Sequence, residues 1–127
     1  MSAVKPEFIE HNGKKIFYLN FSHMEKDAIP AFMEEAKRVL SAESPSSVLF
    51  LANVNKMSFD KQIVKNFVDF FKFTKTYTQK TAVIGLDTIK KMLYEAVLVL
   101  SGRGSENIRV FDGPNAENKA KDWLTII

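Results

Sequence analysis

The stretch Ser47-Val48-Leu49-Phe50-Leu51-Ala52-Asn53-Val54-Asn55-Lys56-Met57-Ser58-Phe59-Asp60 constrains the fold more than any other part of the chain. An almost wholly apolar run halts at two asparagines, passes through a short polar loop and enters a Phe-rich segment at a serine. An apolar run without polar alternation predicts a strand buried on both faces, as in a parallel sheet covered by helices. The carboxyl end of such a strand is where open α/β sheets place their ligands. That end is therefore the first place to look for function.

The elements on either side agree. Glu7 to Phe21 reads as a hairpin, because Asn12-Gly13 separates two apolar runs and a type I′ turn needs positive φ at both central residues. A first helix begins near Asp27 as N-cap, carries Pro30 in its first turn and shows Ile29, Phe32, Met33, Ala36, Val39 and Leu40 on one face. Ser44-Pro45-Ser46 breaks the chain before the strand Val48 to Val54. A second helix, from about Phe59 to Gln79, has Ser58 at its N-cap. It carries Ile63, Val64, Phe67, Val68, Phe70, Phe71, Phe73 and Tyr77 over more than half its circumference. That excess predicts cover by a neighbouring helix or by another molecule.

Thr81 to Leu86 reads as a second buried strand, and Asp87 as the cap of a third helix. Ile89, Met92, Leu93, Ala96, Val97 and Leu100 form its expected core face, with Tyr94 and Leu98 off that face. Gly102 suits the C′ position, Gly104-Ser105 a loop, Ile108 to Phe111 a last strand. Pro114 fits the first position of a final helix presenting Ala116, Ala120, Trp123 and Leu124. The order β-β-α-β-α-β-α-β-α predicts an α/β fold: one mixed, mostly parallel sheet of four or five strands flanked by helices. The 127 residues fit a single domain over 1–127, with its core at about 7–124.

Composition narrows the function classes. There is no cysteine, hence no disulfide, thiolate metal site or cysteine nucleophile, which fits a reducing cytoplasm. The amino-terminal residues lack a signal-peptide stretch, and the longest apolar run, Ala96 to Leu100, is far short of a membrane span, so a cytoplasmic, soluble protein is expected. The net charge of +3 is spread along the chain, with Arg38, Arg103 and Arg109 the only arginines, which argues against a nucleic-acid binder. The turn after Val54 holds no glycine and Gly85 stands alone, so neither phosphate-binding fingerprint is present and no cofactor is implied. Ser58 lacks the Gly-x-Ser-x-Gly elbow, and His11 and His23 have no clustered acids to make a catalytic or metal site.

The sequence order resembles the STAS domain and, more closely, the SpoIIAA-like (STAS/SEC14-like) family. The resemblance rests on Lys14 to Ser22, Val48 to Val54, Lys80 to Leu86, and the ending Val110-Phe111-Asp112 with Trp123-Leu124. It implies a non-enzymatic regulatory domain that binds a protein partner, a nucleotide or a lipid-like ligand. It also places Ser58 where antagonist-type STAS domains carry a phosphorylated serine.

The proposed sheet collects Asn20, Ser22, Asn53, Asn55, Lys56, Ser58, Asp87, Thr88 and Asp112 on one rim, near helix N-termini that favour anions. That rim, and the loop and helix start at 53–60 in particular, is the expected protein-docking region. The alternative is a carrier holding an apolar, lipid-like ligand between the sheet and helices two and three. Phe67, Phe70, Phe71, Phe73, Tyr77 and Leu98 are the candidate residues for such a pocket or for a homodimer face.

Overall fold

A computed structural model describes residues 5–103 and 107–126. The Gly104-Ser105 loop and the first four residues lie outside that range. The described chain forms β1 (Glu7–His11), β2 (Lys14–Asn20), α1 (Ile29–Leu40), β3 (Val48–Asn53), α2 (Lys61–Lys75), β4 (Thr78–Ile84), α3 (Thr88–Leu100), β5 (Ile108–Phe111) and α4 (Ala116–Thr125). The fold is α/β in the expected order, with a five-stranded mixed sheet ordered β1-β2-β3-β4-β5. β1 runs antiparallel to β2, and the remaining neighbours are parallel. Asn12 and Gly13 both take positive φ, as a type I′ hairpin requires.

β3 is the central strand, and Val48 to Ala52 are all buried. Its side chains alternate between two cores. Val48, Phe50 and Ala52 pack with Phe17, Leu19, α1, α2 and Val97 of α3. Leu49 and Leu51 pack on the other face with Ile16, Ala82, Ile84 and α4 residues Ala120 and Leu124. The asymmetry follows from connection handedness. Three crossovers step the same way along the sheet, from β2 to β5, and right-handed crossovers then put α1, α2 and α3 on one face. The other face is left for α4.

The wide apolar arc of α2 is occupied within the chain. Phe70 meets Phe50 of the sheet, Phe67 meets Phe21, Phe71 meets Tyr94 of α3, and Phe73 lies against Tyr77 with Lys37 of α1 over its ring. Of the residues expected at a homodimer face or pocket, Phe70 and Phe71 are buried within the chain, and Phe67, Phe73, Tyr77 and Leu98 are half-buried.

Three helix starts differ from expectation, and only at α2 does a capping side chain decide the position. α2 begins at Lys61 with Asp60, not Ser58, as N-cap; its carboxylate accepts from Ile63 N–H at 2.9 Å. The Ser58 backbone N–H instead donates to the Met24 carbonyl, which ties the loop to the segment before α1. α1 is preceded by Ala28 rather than Asp27, with Pro30 in its first turn. α4 starts two residues after Pro114, behind Asn115 in the left-handed region. Asp87 does cap α3, accepting from Lys90 N–H at 2.9 Å. α3 ends as expected at Gly102: φ is +73° there, the Gly102 N–H reaches Val99 O and the Arg103 N–H reaches Leu98 O, a Schellman pair.

The largest correction concerns α3. Its core face is Lys90, Val97 and Ser101, flanked by Leu93, Tyr94 and Leu98. Ile89, Met92, Val99 and Leu100 are 65, 71, 78 and 62% exposed, and Ala96 between them is exposed too. α3 is apolar around most of its circumference, so periodicity does not determine its rotation. Fixed contacts do: the Asp87 cap, the Tyr94 ring against Phe71, and an ion pair from Lys91 to Asp112 at 2.8 Å. Among the described residues, no helix is long and apolar enough to cross a membrane.

Candidate functional site

The carboxyl ends of β2, β3, β4 and β5 meet at one rim. Phe21 N–H donates to Asn53 O, His23 N–H to Asn55 O, and Val54 N–H to Ile84 O, so the loops leaving β2, β3 and β4 are stitched side by side. The asparagines at the strand ends shape these turns. Asn20 Oδ1 accepts from the Ser22 N–H and hydroxyl, and Asn53 Oδ1 accepts from Asn55 N–H at 3.0 Å. These are Asx turns, in which a side chain replaces a backbone acceptor.

Two depressions open beside this rim. One is a polar cleft of about 470 Å³ on the α4 side, lined by Asn53, Asn55, Gly85, Asp87, Asp112 and Glu117 among others. Four of the expected rim residues therefore come together there. Asn20, Ser22, Lys56, Ser58 and Thr88 are not part of its wall. Lys56 is exposed on a turn in the left-handed region, and Ser58 is half-buried.

A hydrogen-bonded chain underlies the cleft. Asn53 Nδ2 donates to Tyr18 Oη at 3.3 Å, Tyr18 donates to Glu117 at 3.0 Å, and Lys121 donates to the other Glu117 oxygen at 2.9 Å. The Lys121 bond, with help from Tyr18, holds the Glu117 carboxyl below its usual range despite partial burial. Burial raises the Tyr18 hydroxyl. Glu117 is thus an ionised, oriented acceptor rather than a proton donor at neutral pH. Among the described residues no group of three or more His, Cys, Asp or Glu is arranged to hold a metal ion.

The second depression is a partly open apolar pocket between α2, α3 and the sheet, of about 70 Å³. Ala52, Val54 and Val83 make its floor, Ile63, Phe67 and Phe71 one wall, and Leu93, Tyr94 and Val97 the other. Met57 and Phe59 of the 53–60 loop close the end near the rim, and Phe59 is partly exposed. Burial pushes the Tyr94 hydroxyl up to about 12. Of the aromatic candidates, Phe67 and Phe71 reach the pocket. Phe70 belongs to the core, Phe73 and Tyr77 pack together at the other end of α2, and Leu98 packs against the core.

Among the described residues, Lys90 is the one charged side chain lining this pocket. It is 7% exposed, its ammonium donates to Val54 O at 3.3 Å, and it stands 5.8 Å from the Phe59 ring centre. Sequence reading passed over Lys90, Tyr18 and Glu117 as site residues, and named Phe59 only as part of the 53–60 segment. For Lys90 a signal exists: it lies on the same side of α3 as Tyr94 and Val97, at helical spacing, so it is a lysine within an apolar face.

Comparison with protein families, with curated proteins and with solved structures finds no match.

Proposed function

We propose that this chain is a non-enzymatic interaction module that docks a protein partner on α3 and on the neighbouring end of the 53–60 loop. The observation that carries this reading is the row Ile89, Met92, Val99 and Leu100, whose side chains stand in solvent on one side of a helix. Soluble proteins seldom leave so much contiguous apolar surface without a use, and such patches mark interaction sites. Met92, Val99 and Leu100 follow Ile89 by 3, 10 and 11 residues, a spacing along α3 that suits an amphipathic helix or an extended apolar strip from the partner. Leu93 lies between this row and the pocket, and Phe59 stands at the pocket's end, so a partner side chain has a recess to fill.

The resemblance to STAS and SpoIIAA-like regulatory domains supports the same reading. The 53–60 loop lies at the rim where the strand ends gather, which leaves it open to a partner. In this reading the docking surface keeps Phe59 from the expected segment and adds the outer side of α3.

The test is complex formation with Val99→Glu, and separately Met92→Glu, measured by light scattering after size-exclusion chromatography with a partner isolated on the wild-type chain. Each variant loses the complex while keeping the wild-type thermal melt. A complex that survives both substitutions removes this reading.

A second reading, a carrier of a small apolar ligand, is favoured by the pocket itself. Its 70 Å³ decides what could enter. A cavity of about 150 Å³ takes one benzene ring, so a long acyl chain needs α2 and α3 to part, whereas a short apolar group does not. Native mass spectrometry of protein purified without detergent tests it, through a retained small molecule.

A further inference from the structure

Lysine is almost never fully buried unless its charge is paired. Among the described residues Lys90 has no such pair. An ammonium carries three donors, and one is used, on the Val54 carbonyl at a length near the end of the hydrogen-bond range. Among the described residues the ion pairs involve Lys26, Lys37, Lys91, Lys121, Arg38 and His11, and none involves Lys90. Two carboxylates at the starts of the helices that flank the pocket are engaged elsewhere. Asp60 caps α2 and faces Lys26, and Asp87 accepts from the backbone N–H of Lys90 itself.

Apart from Lys90 and the Tyr94 hydroxyl, the side chains lining this pocket are apolar. Val54, Met57, Phe59, Leu86, Leu93 and Val97 share its pocket. An opposite charge placed there would gain more than at an exposed lysine, because little water competes for it.

We propose that the pocket between α2 and α3 is a binding site for a small aliphatic or aromatic monocarboxylate, with the Lys90 ammonium holding its head group. One cation matches one negative charge, which excludes a doubly charged phosphate ester as the best fit. The carboxylate sits at the rim, beside Val54 O and Phe59, and the apolar body points inward between Phe67, Phe71, Leu93 and Val97. The small volume of the pocket suits a short branched chain or a partly inserted ring. This inference rests on the second reading above and gives it a ligand class.

The test is an amide ¹H–¹⁵N titration of the full chain with 4-methylpentanoate and, separately, with the uncharged 4-methylpentanamide at low ionic strength. The carboxylate shifts the amides of Val54, Phe59, Leu93 and Val97 and binds at least about tenfold tighter than the amide. Lys90→Met removes that preference, and Lys90→Arg keeps it. Equal affinities of the two probes in the wild-type chain overturn the role of Lys90 and leave an apolar pocket. Saturable binding of neither probe overturns the small-ligand reading altogether. The wild-type ratio decides even if Lys90→Met fails to fold.

Discussion

A Cβ on Gly85 would lie 2.5 Å from the backbone nitrogen of Asn55. Gly85 also has φ +90°, which L side chains rarely adopt. The loops leaving β3 and β4 pass backbone against backbone at this point, and both walls of the rim cleft depend on it. Gly85→Ala is expected to destabilise the protein by about 2–3 kcal/mol, read from the shift in urea midpoint. Gly13→Ala, at a positive φ but with nothing within 4 Å of the added Cβ, costs less.

The cap of α2 separates two neighbouring residues. Asp60→Ala lowers the melting temperature more than Ser58→Ala does, because Asp60 makes the capping bond and Ser58 makes none. The Ile63 N–H, with Lys26, holds the Asp60 carboxyl below its ordinary value. Its contribution is therefore present above the unfolded-state value and fades as pH falls through the lower folded-state value. A melting temperature that drops less on acidification in Asp60→Asn than in the wild type checks the sign.

Tyr94 gives an alkaline counterpart. Its hydroxyl is raised from 10.0 to about 12 by burial. A folded-state value above the unfolded one means stability complete below pH 10 and lost as pH rises from about 10 to 12. Absorbance titration near the tyrosinate band shows this residue ionising last, and Tyr94→Phe removes the late step.

Arg103 ties three elements together. Its guanidinium donates to Phe71 O, Thr74 Oγ1 and Thr78 Oγ1 at 3.2, 3.0 and 3.4 Å and lies over the Phe71 ring. Arg103→Ala leaves buried threonine oxygens with fewer partners and removes packing from the α2–α3 seam. A loss of about 2–3 kcal/mol is expected by chemical denaturation.

The outer row of α3 predicts the opposite behaviour. Met92→Glu and Val99→Glu change stability by no more than about 0.5 kcal/mol, since both side chains are exposed. They reduce binding of a hydrophobic dye and raise solubility. A large destabilisation by either would mean that α3 is turned with that side inward.

Several features of the fold are legible in the amino-acid order alone. An apolar run with no polar alternation, Val48 to Ala52, has to be shielded above and below, and it lies in the middle of the sheet with a core on each side. Asn12-Gly13 fixed the hairpin because few residues other than these tolerate its backbone angles. Asn53, Asn55, Asp87 and Asp112 reached one cleft because parallel strands deliver their carboxyl ends to a common rim. The arc of α2 was also readable as excess, although only the packed structure showed that α1 and α3 consume it.

What the chain's order of residues determined on its own was local: which segments are strands and helices, where the tight turn falls, and how many layers the apolar pattern needs. Tertiary packing decided the rotation of α3, the transfer of the α2 cap from Ser58 to Asp60, and the burial of Lys90. Helical periodicity fixes a rotation only when one side is polar, and α3 has too little polar surface for that. Its orientation was set instead by contacts made across the fold, Tyr94 on Phe71 and Lys91 on Asp112, which no neighbour in sequence supplies.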